Sequence, residues 1–431
     1  MLHLGWFVGR GYSVNAWNQP WSGTIGSDWM EPDLFLDLAR AMDRSFCDYL
    51  MIEDGSFIPD AFQGSAEWSL RNAYTVPKCD PMPLVPLLGA ATKGLGIVAT
   101  ITTAFYPPYL AARLAATLDH LTHGRVGLNL VTAHNDRTAQ NFGLDQHYEH
   151  DLRYEMADEW MEVVNRLWNS WEPGAIVNDP DNGMFADHTK IHPIDFTGKY
   201  YKCRGPLNTA PGPQRRPVIC QAGGSSAGRT FAAKHADTIV ARARSIEACK
   251  AYRDDIRTQM RRFGRDPNDC KVMFCVGLVL GETVAEASEK KQRQNAAMAA
   301  NLQPRLAHMS FLSGKDFSKF DLDGPLPDIK TNGSRSAFEG YTSATGAKTL
   351  REMLIDPGSG GIDFVGTPDS IAAEMDAAMQ EIGGDGYLFT EAITRRTISE
   401  ITDGLAPALR RRGLLRGSYE HTLFRDNLLA F

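Results

Sequence analysis

Residues 94–131 read GLGIVATITTAFYPPYLAARLAATLDHLTHGRVGLNLV, and this stretch has two apolar runs on either side of a segment of helical period. The runs at 94–102 and 125–131 are apolar without clean alternation, which is typical of strands buried on both faces of a parallel sheet. Residues 108–121, between the two runs, have the periodicity of a helix. The stretch therefore predicts one strand–helix–strand unit with parallel strands.

The same alternation of short apolar runs and helical segments continues in both directions along the chain. Eight such repeats close most naturally into a (β/α)8 TIM barrel, and the alternative is an open, doubly wound parallel sheet. The predicted strands are 3–8, 48–52, 94–102, 125–131, 218–222, 237–241, 271–280 and 386–390. The predicted helices are 32–46, 84–92, 108–121, one starting near 151, one starting at 225–226, 245–263, 282–301 and 397–411.

Two segments do not fit the repeat, at about 178–217 and 303–361. Both are rich in Gly, Pro, Asp and Ser, and both are long for connections within a compact domain. Neither shows enough apolar periodicity for a core of its own, so we interpret residues 1–431 as one barrel with two insertions. Long insertions of this kind are candidates for lids that close a site.

Composition excludes several classes of protein. The 431 residues are 43% hydrophobic and 23% charged, which excludes wholesale disorder. A net charge of −7 argues against a nucleic-acid or anionic-membrane binder, and no apolar run approaches the roughly 20 residues that span a bilayer. The seven cysteines contain no C-x-x-C pair, and the first ten residues do not resemble a secretory signal. These features predict a cytoplasmic enzyme with reduced thiols.

Reactive groups in barrels lie at the carboxyl ends of the strands and in the loops that follow. The side chains at these positions are polar, carry little charge and are rich in hydrogen-bond donors. They suit a neutral heteroaromatic ring better than a metal ion or a sugar. They are Phe7, Glu53, Asp54, Thr102, Thr103, Asn129, Thr132, His134 and Gln221.

The segment Gly223-Gly224-Ser225-Ser226 follows the fifth predicted strand and opens a helix. Glycines allow close backbone approach, and free N–H groups at a helix N-terminus bind phosphate. The alternative is an ordinary glycine turn with a serine N-cap. The segment lacks the lysine of a P-loop, and no strand is followed by G-x-G-x-x-G, so the chain has no recognisable dinucleotide site.

Histidines with metal-like spacing occur in pairs, but no cysteine or carboxylate completes a ligand set. We therefore predict no metal, and the absence of a G-x-S-x-G motif argues against a serine hydrolase. The pairs are His120 with His123, His147 with His150, and His188 with His192. His150 and Tyr154 are one helical turn apart, so they could be presented together at the top of the long helix, with Asp151 as its N-cap.

Several short motifs distributed over nearly the whole chain carry a family resemblance. They are GLNLVT at 127–132, NFG at 141–143, HD at 150–151, RY at 153–154, YPPY at 106–109, LWNSW at 167–171, QAG at 221–223, FVGTP at 364–368 and RGL at 412–414, with Tyr419 and Asn427-Leu428 near the end. Together they resemble flavin-dependent monooxygenases of the bacterial-luciferase-like superfamily, in the nitrilotriacetate, dibenzothiophene-sulfone and pristinamycin synthase group.

The resemblance implies a barrel with insertions that assembles into a homodimer or homotetramer. It also implies that reduced FMN (FMNH2) comes from a separate NAD(P)H:flavin reductase and reacts with O2 to oxygenate a small organic substrate, with C–S or C–N oxidation or cleavage. In this reading the ring and ribityl chain contact Phe7, Asp54, Thr102 and Asn129. The ribityl tail and phosphate contact His150, Tyr154, Ser225 and Ser226.

The substrate side is less defined. Asn15, Trp17 and Trp21 in the first loop are expected to contact substrate, and this loop offers only Arg10 as a basic group, which favours an aromatic or apolar sulfur, nitrogen or halogen compound. No acid or base is assigned, although His150 and His308 are candidates. The alternatives are an F420-dependent oxidoreductase on the same barrel and a non-catalytic flavin-binding protein.

Overall fold

The computed structural model describes residues 1–325, 331–333, 348–355 and 361–431. Its centre is a sheet of nine strands in which every pairing is parallel. The strands are β1 His3–Val8, β2 Tyr49–Ile52, β3 Gly96–Thr102, β4 Val126–Val131, β5 Val218–Gln221, β6 Thr238–Ala241, β7 Lys271–Leu280, β8 Ile362–Gly366 and β9 Gly386–Phe389.

Eight of these strands close into a barrel, which confirms the predicted (β/α)8 fold and excludes the open sheet. The order of neighbours is β6-β5-β4-β3-β2-β1-β9-β7, and β7 pairs in turn with β6. All eight predicted strands are present to within two residues at each end. The carboxyl ends of the eight strands therefore meet at one mouth, where a barrel builds its site.

Strand β8 is an addition that sequence analysis did not predict. The ten-residue β7 pairs with β9 through its first half, and its second half, from Val276 to Leu280, pairs with β8. The helix Pro368–Ile382 follows β8 and packs between the neighbouring helices Ile246–Arg262 and Ala406–Arg411, in the outer ring of the barrel. The predicted helix at 282–301 instead packs on β7 and β8 and begins the second insertion.

The helices lie around the outside of the barrel and in its connections. Their bounds are Asp33–Arg44, Glu67–Arg71, Leu84–Ala91, Pro108–Leu121, Asp136–Asn141, His150–Trp168, Ser226–His235, Ile246–Arg262, Val284–Ala300, Gln303–Ser313, Leu350–Ile355, Pro368–Ile382, Arg395–Ser399, Ala406–Arg411 and Phe424–Leu428. A π-helical segment, Glu400–Leu405, joins two of them. No helix in the described part of the chain is long and apolar enough to cross a membrane.

The bottom of the barrel is filled by the last helix of the chain. Phe424 is fully buried among the inward-facing side chains of the strands. A Cβ at Gly96 would lie 2.5 Å from the Phe424 ring, and one at Gly127 would lie 3.2 Å from it. Glycine at these two strand positions therefore makes the space for the Phe424 ring, which fills this end of the barrel.

The first insertion contributes no residue to the wall of the cavity at the barrel mouth. It contains a hairpin of Ile176–Asp179 with Met184–Ala186 and a short ribbon of Phe196–Thr197 with Lys202–Cys203. Because it joins the end of helix His150–Trp168 to the start of β5, it lies on the outer and lower side of the barrel. Gln214, for example, bonds to Asp119 at 2.7 Å and to the Val126 carbonyl at the start of β4. The expectation that 178–217 forms a lid is wrong for this reason.

The second insertion has a small apolar core that was not expected from its sequence. Leu306, Met309, Phe317, Leu350 and Met353 pack together there with Phe62 and their neighbours. Residues 326–330, 334–347 and 356–360 of the predicted insertion lie outside the described residues. The described part covers the barrel mouth through the helix Gln303–Ser313.

Candidate functional site

A cavity with about 1180 Å³ of empty space opens at the carboxyl ends of the strands, between the barrel mouth and the second insertion. It is largely apolar with a few convergent polar groups, as small-molecule sites are. Of the eight residues predicted to contact cofactor, seven lie in its wall. These are Phe7, Asp54, Thr102, Asn129, His150, Tyr154 and Ser225.

The other predicted contact residues lie elsewhere. Ser226 is exposed and outside the cavity wall, because it is the first residue of the helix rather than part of the loop that precedes it. Asn15 is buried and donates its amide to the Ser13 carbonyl. Trp17 and Trp21 are exposed, and the Trp21 ring lies 5.2 Å from the Arg396 guanidinium. None of these three first-loop residues lines the cavity, and their contact with substrate stays a prediction.

Asn129 presents an unpaired acceptor at the floor of the cavity. The Thr100 hydroxyl donates to the Ile52 carbonyl at 2.8 Å and accepts a hydrogen bond from Asn129 Nδ2 at 2.9 Å. These two hydrogen bonds fix the orientation of the Asn129 amide. Its Oδ1 is buried and has no hydrogen-bond partner in the described structure. Buried carbonyl oxygens are almost always paired, so the atom calls for a donor from a ligand.

Thr100 lines the cavity but was not among the predicted site residues. The signal that identifies it is the period of a strand, since residues two apart point to the same face. Thr102 was selected at the end of β3, and Thr100 lies two residues before it on the same side. Strand alternation therefore extends the site one step into the barrel.

The glycine–serine loop after β5 forms the other end of the cavity. The helix Ser226–His235 is capped by Ser225, whose Oγ accepts from the Gly228 N–H at 3.1 Å. The loop combines features of the two predicted alternatives, an ordinary capped turn and a ligand-binding loop. Ser225 is an N-cap, and Ser225 and Gly223 also line the cavity. The first N–H groups of a helix have no partner within it and carry a partial positive charge, so this end suits an anion.

Tyr154 lies against this loop. Its hydroxyl is within hydrogen-bonding reach of the side chains of Ser225, Gln221 and Thr132. Burial raises the pKa of the phenol, so it remains a neutral donor and acceptor at physiological pH. A Cβ at Gly228 would lie 2.9 Å from the Tyr154 oxygen, which shows how closely the two elements pack.

His150 and Tyr154 face the cavity from one helix, as their spacing predicted. The two rings are 5.2 Å apart, and His150 Nδ1 lies 2.7 Å from the carboxylate of the next residue, Asp151. The helix begins at His150 itself, and Glu149 occupies the N-cap position without a side-chain bond. The prediction that Asp151 caps this helix is therefore wrong, and its carboxylate orients the imidazole instead.

Asp54 is a carboxyl group of the cavity wall whose pKa is raised by its surroundings. Burial and, to a lesser extent, the neighbouring Glu53 raise the pKa of this carboxyl, and Lys78 partly offsets them, so that it lies at about 6. Lys78 is held by Glu53, with Nζ and Oε2 2.6 Å apart. Asp54 therefore changes its charge near pH 6 and is mostly ionised at pH 7 and above.

The raised pKa of Asp54 gives a stability prediction with a definite sign. Its folded pKa exceeds the unfolded value, so the carboxyl favours folding at low pH and this advantage is lost as the pH rises through about 6. We expect Asp54→Asn to match the wild type at pH 4 and to be more stable at pH 8, by up to about 3 kcal/mol. Urea unfolding at both pH values measures this, and equal stabilities at pH 8 would contradict it.

The roof of the cavity is aromatic and comes from segments far apart in the chain. Phe311 stacks on Phe57 with ring centroids 5.5 Å apart and meets His134 edge-on at 5.4 Å. The pKa of His134 is lowered to about 4, mainly by burial and further by Arg153, so its ring is neutral. Neither Phe57 nor Phe311 was predicted, because Phe57 lies in a loop and Phe311 lies in a helix of the second insertion that was not expected.

Arg153 connects the roof to the helix below. It is buried in the cavity wall and donates to the Asn332 carbonyl at 3.1 Å. Asn332 in turn donates to the Tyr148 carbonyl, and the neighbouring Gly333 lines the cavity. The described part of the second insertion is thus tied to the helix that carries His150 and Tyr154.

His308 does not line the cavity but lies directly behind its roof. Its Nδ1 is 2.6 Å from the Tyr74 hydroxyl, and its ring is stacked 6.3 Å from Phe311. Burial first, and then Arg242, Arg305 and Arg10, lower the pKa of this histidine to about 4. Within the described residues no group of three or more His, Cys, Asp or Glu side chains is placed to hold a metal ion.

Comparison with known proteins places this site in a family. The model of the luciferase-like monooxygenases matches residues 10–386. The chain is 36% identical over 423 residues to dimethyl-sulfide monooxygenase of Hyphomicrobium sulfonivorans, covering 97% of this chain and 87% of that protein. It is 34% identical over 410 residues to nitrilotriacetate monooxygenase component A of Aminobacter aminovorans, covering 91% and 89%.

A solved structure agrees with these relatives. Riboflavin lyase with modified FMN and riboflavin is 29% identical and superposes with a TM-score of 0.90, over 100% of this chain and 96% of that one. The motifs at 127–132, 150–154 and 221–223, on which the resemblance rested, all contribute to the cavity wall. The resemblance is confirmed, and the chain belongs to the luciferase-like monooxygenase family.

Proposed function

We propose that this protein is the oxygenase component of a two-component system, which uses FMNH2 and O2 to oxygenate a small organic molecule. The observation that carries the proposal is the cavity itself. It has an unpaired acceptor at one end, on Asn129, and the glycine–serine helix N-terminus at the other. A flavin mononucleotide has the matching groups, with N–H donors on its ring and a phosphate at the far end of its ribityl chain.

The donor and acceptor set of the wall fits this cofactor. Asn129 Oδ1 and the buried His134 Nε2 are both without hydrogen-bond partners in the described structure. Phe7 and Thr102 also line the cavity, and Tyr154 and His150 lie on the side of Ser225, at the proposed phosphate end. When bound, reduced FMN supplies the two electrons with which O2 delivers one oxygen atom to substrate and one to water.

The chain's own residues bind, orient and shield. The Thr100–Asn129 hydrogen bond and the Ser225 cap fix the protein groups at the two ends of the cavity before the cofactor binds. The protein therefore loses less conformational entropy when it positions the cofactor. The Phe57–Phe311 stack covers the mouth with apolar surface and so excludes water from the reacting atoms. Asp54 lines the cavity, and its pKa of about 6 allows it to exchange a proton near neutral pH.

The source of reduced flavin is proposed to be a separate NAD(P)H:flavin reductase. The sequence has no G-x-G-x-x-G turn after any of its strands, so it lacks a recognisable nicotinamide site of its own. The related nitrilotriacetate enzyme is named as a component A. We propose that the substrate undergoes oxidation or cleavage at a C–S or C–N bond and that the protein forms a homodimer or homotetramer.

The test combines the purified protein with FMN, NADH, a flavin reductase and ¹⁸O2. We expect the protein to bind FMNH2 and to transfer one labelled atom to a cognate compound within a panel of thioethers, sulfones, amines and halophenols. Tighter binding of F420 than of FMN, with turnover in the absence of O2, would favour the deazaflavin alternative. Tight FMN binding without oxygen-dependent turnover across the panel would favour a non-catalytic flavin protein.

Ser225 and Ser226 provide a matched pair for the phosphate end. Ser225→Ala removes the helix cap and a cavity-facing hydroxyl, so we expect a loss of stability of about 1 kcal/mol and roughly fivefold to tenfold weaker FMN binding. Ser226→Ala changes an exposed side chain outside the wall, and we expect little change. Anaerobic titration with FMNH2 measures both, and equal losses would contradict the assigned orientation of the loop.

A further inference from the structure

The hairpin at the start of the first insertion is apolar and exposed to solvent. Its strands are Ile176–Asp179 and Met184–Ala186. Every residue from 176 to 185 except Asp179 is exposed. The apolar members of this run are Ile176 at 41% exposure, Val177 at 41%, Met184 at 48% and Phe185 at 67%. Apolar side chains gathered on one small exposed element mark a surface for interaction with another molecule.

The hairpin is well formed at both ends. At its base Ala175 is buried, and the carbonyl of this residue accepts the N–H of Asp187 at 2.8 Å. At its tip the Asp179 carboxylate accepts hydrogen bonds from the backbone N–H of Asn182 at 3.1 Å and from its side-chain amide at 2.7 Å. The exposed apolar side chains therefore belong to an ordered element, with its base fixed to the barrel.

Between base and tip, the hairpin has no neighbour in its own chain. The two strands form a separate sheet and pair with no other strand in the described part of the chain. Isolated two-stranded hairpins are marginally stable in water, and their outer edges carry backbone N–H and C=O groups without strand partners. The hairpin thus offers both an apolar surface and a free strand edge.

The size of this surface selects a second copy of the chain as its partner. A stable interface takes about 20–30 residues on each side. Residues 176–185 are too few for that if a different protein covers the hairpin alone. In a two-fold pair, each copy contributes its hairpin and also the surface that receives the partner's hairpin, so the contact on each side is doubled. The reciprocal pair therefore reaches the size that a stable interface requires.

The charges of the hairpin determine how the two copies meet. Asp179 and Asp181 stand at its tip, and residues 176–186 contain no lysine or arginine. Contact from tip to tip would bring the carboxylates of both copies together, and like charges placed opposite each other are costly. Each hairpin is therefore expected to lie against the body of the other copy rather than against the other hairpin's tip.

We propose that the hairpin 176–186 is an arm that each copy of this chain lays against a second copy, with Val177, Met184 and Phe185 buried in the contact. The inference goes beyond the oxygenation chemistry, because no contact with flavin or substrate depends on it. It rests on the proposed function only for the expectation of a homodimer or homotetramer, to which it assigns a surface. It also gives the first insertion a role other than that of a lid.

The test is the oligomeric state of the full chain, measured by sedimentation velocity over a dilution series. We expect the wild type to form an oligomer and Val177→Ser/Phe185→Ser to raise its dissociation constant at least about 100-fold, since a few apolar anchors dominate such contacts. The matched control is Val284→Ser/Phe263→Ser, which changes the same residue types at 55% and 44% exposure, and it should leave the constant unchanged. Neither variant removes a buried side chain, so both should keep the melting temperature of the dilute wild type.

Hydrogen exchange locates the contact without any substitution. We expect the amides of residues 176–186 to exchange at least about tenfold more slowly in the assembled wild type than after dilution to the monomer, because an uncovered hairpin opens readily. A wild type that remains monomeric, an unchanged dissociation constant in the hairpin variant, an equal effect in the control variant, or equally fast exchange in both states would each overturn the inference.

Measurements of FMN binding and oxygenation on the same proteins separate this inference from the proposed function. If the hairpin variant dissociates as expected while the wild type supports no oxygenation with FMNH2, the arm stands and the proposed function fails. If the wild type oxygenates a substrate while its hairpin amides stay unprotected, the proposed function stands and the arm is wrong.

Discussion

Asn129→Leu is expected to weaken FMNH2 binding by roughly 10- to 100-fold, which corresponds to the 1–3 kcal/mol lost when a buried donor is left without its acceptor. Leucine has the same branched arrangement of heavy atoms as asparagine, so the floor of the cavity stays filled. The Thr100 hydroxyl keeps its bond to the Ile52 carbonyl, and we expect the free energy of unfolding to change by less than about 1 kcal/mol. A large effect on binding with a small effect on folding is therefore the signature.

The matched control is Asn165→Leu. Asn165 also has a buried Oδ1 without a partner in the described structure, but it lies outside the cavity on the outer side of the helix His150–Trp168. Anaerobic fluorescence titration with FMNH2 and urea unfolding should be carried out on both variants. Comparable losses of affinity in the two, or no loss in Asn129→Leu, would show that the floor acceptor does not bind the flavin.

Gly228→Ala is expected to reduce FMN affinity at least about tenfold and to lower the melting temperature. The new Cβ would lie 2.9 Å from the Gly223 Cα, 2.9 Å from the Tyr154 oxygen and 3.1 Å from Ser225 Oγ. The contact with backbone cannot be relieved by a rotamer change, so the glycine–serine loop must move. Overpacking of this kind costs about 1–3 kcal/mol, and here it displaces the groups proposed to hold the phosphate.

Gly404→Ala separates this steric effect from helix propensity. Both glycines lie in helical segments, where alanine is favoured by up to about 1 kcal/mol, but the nearest atom to a Cβ at Gly404 is 3.8 Å away. We expect Gly404→Ala to leave FMN binding unchanged and to maintain or raise the melting temperature. If Gly228→Ala behaves in the same way, the close packing of loop and helix has no part in binding.

The strand repeat and the polar residues at strand ends were predictable because they obey local periods. Strands β1 to β7 and β9 are short apolar runs, and a residue such as Asn129 has a face assigned by alternation alone. Strand β8 was missed although FVGTP was noted as a motif, because its exposed and half-buried residues do not form a continuous apolar run. The helix start at His150 was displaced by one residue, since the cap uses no side chain.

The roof shows what local periods cannot predict. Phe57, Tyr74 and Phe311 lie in loops or in an insertion, where no repeat orients a side chain. Trp17 and Trp21 were natural candidates by residue type, yet the first loop directs them away from the cavity to solvent. The first insertion was a plausible lid by length, but it packs beside the barrel and contributes no residue to the cavity wall.

By itself, then, the amino-acid sequence determined a closed barrel, a neutral and donor-rich floor, and a glycine–serine loop after the fifth strand. Each of these depends on neighbours within a few residues, where sterics and hydrogen bonding set the geometry. Only the tertiary structure decided what covers the floor and which charges face it. Phe57 and Phe311 stack because the second insertion folds over the barrel mouth, and Arg153 is buried in the same wall, which are long-range contacts that no local pattern encodes.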